Sequence, residues 1–178
     1  MPRETQNGGL FLKHRAVTLQ GKAREEWSRW LSSAPWDLFV TLTDPGMSHP
    51  EHMTKRSRYL EALMNRALYG NHHERRGQGI ETVTGLERQK RGSVHSHMLV
   101  RFPDHDIRDP DQISLRYWQR KAADLGGHSY LTVPKSQNDV VDYVTKYVVK
   151  EGELVLGPMF DPNRPRSLAA TLLGGLHV

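Results

Sequence analysis

The chain has 178 residues, no cysteine, and 25 lysines and arginines against 20 aspartates and glutamates, a formal charge of +5. That length suits one domain with its own core, and 37% hydrophobic with 25% charged residues describes a globular chain. Disulfides and thiolate metal centres are excluded, which fits a cytoplasmic setting. No run approaches the ~18 apolar residues of a membrane span, and no signal peptide opens the chain. The basic balance fits a polyanionic partner.

Residues 1–35 read as an N-terminal extension with one helix, "GKAREEWSRWLSSA" (21–34), ending before Pro35. "WDLFVTLT" (36–43) reads as a strand, with Leu38, Val40 and Leu42 on one face and Phe39, Thr41 and Thr43 on the other. "DPGMSHP" is turn-rich, and Ser48 is a candidate cap for a helix over 49–69. "NHHERRGQG" is a loop. "IETVTGLERQ" (80–89) and "SVHSHMLVRF" (93–102) form a hairpin across a tight "KRG" turn. After the polar "PDHDIRDPD", the segment "QISLRYWQRKAADL" (112–125) is a helix stopped by Gly126 and Gly127. "HSYLTVPK" (128–135) is a strand and "SQNDVVDYVTKYVVK" (136–150) a helix. A domain is expected over 36–156, with 157–178 a tail that has no assigned element. The order strand, helix, strand, strand, helix, strand, helix predicts an α+β fold. Helices pack on one antiparallel sheet in the ferredoxin-like, split-βαβ arrangement.

Within the second hairpin strand, Val94, Met98, Val100 and Phe102 alternate on the core face. His95 and His97 fall side by side on the other. Neutral imidazoles are metal donors, and a catalytic ion needs a third ligand with positions left open. A register that pairs Glu87 with His97 puts a carboxylate on that face, whereas a slip of one residue turns it away. Glu81 shares the parity but lies farther along. The plain alternative is two polar residues on an exposed strand. Asp104, His105 and Asp106 form a rival cluster that reads as a solvated turn.

On the last helix Tyr143, Lys146, Tyr147 and Lys150 share one face, opposite Val140, Val141, Val144 and Val148. A tyrosine hydroxyl is inert at its ordinary pKa of about 10. A nearby cation or lysine favours its phenolate and makes it a nucleophile. The alternative is a surface helix with aromatic–lysine packing.

"FVTLT" (39–43), "HSH" (95–97) and "YVTKYVVKEG" (143–152), in that order, resemble the three motifs of the HUH endonuclease superfamily. The closest likeness is to the nuclease domain of rolling-circle replication initiators (Rep proteins) of plasmids and phages. Ser96 departs from the hydrophobic residue that the family places between the two histidines. The resemblance implies a sequence-specific single-stranded DNA endonuclease and strand transferase that nicks an origin through a 5′-phosphotyrosine intermediate. It implies Mn2+ or Mg2+ held by His95, His97 and Glu87. Tyr147 is the implied nucleophile, with Tyr143 as a second one, and Lys146 and Lys150 sit at the phosphate. Thr41, Thr43, Arg88, Lys90 and Arg91 are implied in holding the strand, and Arg75 and Arg76 are further basic candidates. The implied partners are single-stranded DNA at an origin, including a hairpin, and a host polymerase. No G-x-x-x-x-G-K-[ST] occurs, so either a host helicase joins them or the sequence is an excised domain. Three alternatives stay open: a single-strand transposase of the same superfamily, a metal phosphodiesterase using water, and a non-catalytic nucleic-acid-binding module. The last would want aromatics on the central strands.

Overall fold

A computed structural model describes residues 21–33, 35–44, 46, 49–90, 92–103, 115–125, 127–151 and 154–160, with only the backbone for 147–151. The five strands are β1 (Leu38–Thr43), β2 (Glu81–Arg88), β3 (Val94–Arg101), β4 (His128–Thr132) and β5 (Leu154–Leu156). They form one sheet in the order β4-β1-β3-β2-β5, and every neighbouring pair is antiparallel. Residues 21–32 are helical (α1), followed by α2 (Pro50–Tyr69), α3 (Leu115–Asp124) and α4 (Gln137–Glu151). β1, α2, β2, β3, α3 and β4 make the split-βαβ unit that the element order predicts. β5 is an addition on the outer side of β2, and three residues are too few to show a period in sequence.

Alternation assigns the two faces of the sheet. Leu38, Val40, Leu42, Leu86, Val94, Met98, Val100 and Leu131 point to one side. There they bury against Met53, Leu60, Met64 and Leu68 of α2 and Trp118 and Ala122 of α3. The α2 residues recur at helical spacing, so one stripe of that helix is apolar and the rest solvated. The helix ends at Gly70, whose φ of 83° is open to glycine. Its N-cap falls on His49, which makes no side-chain cap bond, and not on Ser48, which lies outside the described residues. Pro50 at the first turn presets φ there, so the helix starts without a capping hydroxyl. Ser96 is buried on this apolar face. Its hydroxyl accepts from that of Ser57 on α2 at 2.9 Å, so the buried polar group is satisfied by a side chain.

On the other face a second core joins Leu31 of α1, Trp36, Val83, Leu99, and Val141 and Val144 of α4. The helix expected as an extension is thus packed into this layer. α4 rests on β2 and β3. Gly85 of β2 faces that helix, and a Cβ there would lie in ordinary contact, 3.4 Å from the Val144 carbonyl oxygen. Both ends of α4 are stitched to the sheet. At the start, the Gln137 side chain accepts from Trp36 N–H at 2.7 Å and donates to the Trp36 carbonyl at 2.9 Å. Beyond its end, β5 pairs with β2 from Val83↔Leu156 to Gly85↔Leu154.

The hairpin register differs from the sequence expectation by two residues: Glu87 lies opposite His95, and Gly85 opposite His97. The turn sets this. Gln89 N–H bonds the Ser93 carbonyl at 2.8 Å across a three-residue connection closed by Gly92, at φ 89°. An even slip keeps the parity, so Glu87 stays on the histidine face. The edge strand β4 is secured by Gln119 of α3, whose amide donates to the Ser129 carbonyl at 2.7 Å and accepts from Leu131 N–H at 3.0 Å.

Candidate metal centre and active site

Register places the polar residues in rows across the sheet. One row runs His128, Thr43, His95, Glu87 over β4, β1, β3 and β2; the next runs Tyr130, Thr41, His97, Gly85. One ligand atom from each of Glu87, His95 and His97 lies within 4.8 Å of the other two. Glu87 reaches diagonally to His97, with 3.1 Å between Oε2 and Nε2. The sequence reading placed His97 on an open face, but the structure buries it to 2% exposure beneath α4, while His95 and Glu87 are half-buried. Phe39 stacks parallel to the His97 ring at 6.0 Å, and the Tyr143 ring stands edge-on to it at 4.8 Å and 86°.

The imidazoles are oriented from β1. Thr41 Oγ1 is 3.1 Å from His97 Nδ1, and Thr43 Oγ1 is 3.4 Å from His95 Nδ1. Gln89 Nε2 also lies 3.1 Å from His95 Nδ1. Burial pushes the pKa of His97 below its ordinary 6.5, against the pull of the Glu87 carboxylate, and burial does the same to His95. Neutral rings at neutral pH suit metal ligation. The donor set passes a further chemical test. Without a cation, the His97 Nε2–H donates to Glu87, and Nδ1 accepts from the Thr41 hydroxyl. With a cation replacing that proton, Nδ1–H donates to the same hydroxyl, which can do either. Two imidazoles and a carboxylate on one half-open face can therefore hold a divalent ion, and hard or borderline metals suit that mixture.

Of the remaining candidates, Tyr143 is brought to the cluster, and Lys146 is exposed on the same helix. Tyr147 and Lys150 occupy the end of α4, one to two turns on, and their side chains lie outside the described residues. Thr41 and Thr43 are placed on the histidines. Arg88 and Lys90 are exposed at the hairpin beside Glu87; Arg88 reaches the Gly92 carbonyl at 3.5 Å. Arg91 and the Asp104–His105–Asp106 cluster lie outside the described residues. Arg75 and Arg76 sit in the turn preceding β2, at the far end of that strand from Glu87, and Arg76 is engaged by the Tyr69 carbonyl and Gln78. Glu81 is buried in an ion pair with Arg101 at 2.7 Å, so it belongs to the packing. Sequence reasoning passed over Gln89 and Phe39. Gln89 shares the parity of Glu87, and Phe39 that of Thr41, and those were the available signals.

A family model described as Replication-associated protein ORF2/G2P matches residues 37–152, from the start of β1 to the end of α4. No curated protein and no solved structure gives a significant match.

Proposed function

The chain belongs to the replication-associated protein ORF2/G2P family, and on that premise we propose that it is a metal-dependent, HUH-type endonuclease that nicks and rejoins single-stranded DNA at a replication origin. One observation carries the reading. The donor atoms of Glu87, His95 and His97 converge within 4.8 Å beneath α4, the helix that bears Tyr143 and Tyr147. A divalent cation held there, Mg2+ or Mn2+, would supply Lewis-acid polarisation of the scissile phosphate.

The chain's own residues do the rest. Tyr147 is the proposed nucleophile: its phenolic oxygen bonds to phosphorus, the phenol proton is released, and the P–O3′ bond breaks. The departing oxygen becomes a 3′-hydroxyl that a polymerase can extend. The 5′-phosphotyrosine keeps the energy of the phosphodiester, so a 3′-hydroxyl can attack it and rejoin the strand. Tyr143, one turn earlier on α4, is the proposed nucleophile of a second transfer. Lys146 and Lys150 offset charge on the phosphate. Thr41 and Thr43 hold the imidazoles in place.

The test is incubation with pools of single-stranded oligonucleotides and Mn2+, followed by denaturing electrophoresis. A protein–DNA species that survives SDS is expected, lost in EDTA and restored by Mn2+ or Mg2+. Absence of any such species across the pools, or its full formation in EDTA, would overturn the proposal.

A further inference from the structure

α4 covers β2 and β3, and the half of the same face on β1 and β4 carries Phe39, Thr41 and Thr43 beside His128, Tyr130 and Thr132. Tyr130 stands there at 62% exposure, its ring open to solvent. It shares a row with Thr41 and His97, so its Cα is about 10 Å from that of His97, two strand spacings away. His128, also exposed, occupies the same face of β4 two residues earlier. The backbone around Tyr130 is fixed: the Gln119 amide bonds the Ser129 carbonyl on one side of it and the Leu131 N–H on the other.

An exposed aromatic on a rigid strand beside a phosphate-cleaving site has a ready use. Every base has a π-face, and aromatic side chains on open sheets stack unpaired bases. We infer that Tyr130 is a stacking platform that receives a base of the bound single strand a few nucleotides from the scissile phosphate. The inference rests on the nuclease reading for its ligand. The +5 charge and the continuity of the row with the metal ligands favour a nucleic-acid strand over an apolar partner. Stacking uses the ring and not the hydroxyl, and it tolerates any base. Tyr130 therefore contributes affinity and register, while sequence preference arises elsewhere.

The test measures binding apart from chemistry. Fluorescein-labelled dT30 and an abasic 30-mer of the same backbone are titrated, in EDTA, into wild type, Tyr130→Ala and Tyr130→Phe. Wild type should prefer dT30. Tyr130→Ala should lose about 5- to 150-fold in affinity for dT30, the range of one base–aromatic stack, and little for the abasic strand. Tyr130→Phe should stay within about twofold of wild type. Thermal melts of the variants should match, since the ring is exposed. Equal affinity of Tyr130→Ala and wild type for dT30 would overturn the platform and leave the nuclease reading untouched, as would a loss equally large on the abasic strand. Failure of wild type to bind either strand would overturn the platform, while the nuclease reading stands or falls on adduct formation with the oligonucleotide pools.

Discussion

On one side of β3, Val94, Ser96, Met98 and Val100 meet α2 and α3 and are closed off from solvent. On the other, His95 and His97 meet Glu87, two threonines of β1 and the Tyr143 ring. The backbone is the same and only the parity differs. The helices on the first face supply apolar mass, and the one polar group buried between the histidines, the Ser96 hydroxyl, is matched by a hydroxyl from α2. The helix on the second face is equally well packed through Val141 and Val144, yet it lays a phenol across an imidazole. A sheet can thus close one face with apolar side chains and gather histidines, a carboxylate and hydroxyls on the other.

That contrast can be broken most directly by neighbouring substitutions on β3. His97→Ala should reduce adduct formation by more than about 100-fold, beyond the ~10–100-fold typical of removing a metal's outer partner. Because His97 is buried, a lower melting temperature should accompany the loss. Met98→Ala should cost about 2–5 kcal/mol of stability and leave the activity of the folded fraction near wild type. A folded but inactive Met98→Ala protein, judged by activity per native molecule, would show that the two faces are not independent.

The nucleophile assignment sharpens the comparison next. Tyr147→Phe should give no SDS-resistant species. Tyr143→Phe should still form one and fail at a second transfer, because its ring packing on His97 survives the loss of the hydroxyl. An adduct that persists in Tyr147→Phe and vanishes in Tyr143→Phe would reverse the roles.

A smaller effect is expected from Thr41→Val, which keeps shape on the chemical face and removes the hydroxyl from His97 Nδ1. Metal affinity measured by calorimetry should fall about 10- to 100-fold with little change in melting temperature. Unaltered affinity would remove Thr41 from the site.

The smallest effect belongs to the structural face. Burial raises the Glu61 carboxyl above its ordinary 4.5, despite the Arg58 guanidinium at 3.0 Å. Between 4.5 and that raised value, the folded chain holds a proton that the unfolded chain has already released. Stability from this group is present at low pH and is lost as pH rises through the raised value. Glu61→Gln should flatten that slope in urea midpoints without altering adduct formation, and an unchanged slope would count against the assignment.

Much of this was legible in sequence because alternation is strict where it matters. Val94, Met98 and Val100 declare the face of β3 and deliver His95 and His97 to the other side, and the parity of the β2–β3 register adds Glu87. The register was misread by two residues because pattern fixes only its parity; the length of the connection from Lys90 to Gly92 fixes the rest. The burial of His97 was invisible for a different reason. It depends on how α4 packs over β2 and β3, a tertiary contact that the pattern of a single strand does not announce. β5 is recognisable only through its pairing with β2.

The stitching of α4 at both ends has a mechanical consequence. A DNA strand bonded to that helix would pull on it, and the load needs a path into the body of the protein. Gln137 ties the first turn to the backbone of Trp36, at the entrance to β1, and β5 ties the far side to β2. Tension would therefore enter the sheet at two strands that flank β3, and the β5–β2 ladder would meet a pull along its strands as shear across several hydrogen bonds together. An attachment at one end alone would let the helix peel away one bond at a time. Two anchors would let a strand tethered to the helix be tugged while the imidazoles beneath it keep their places.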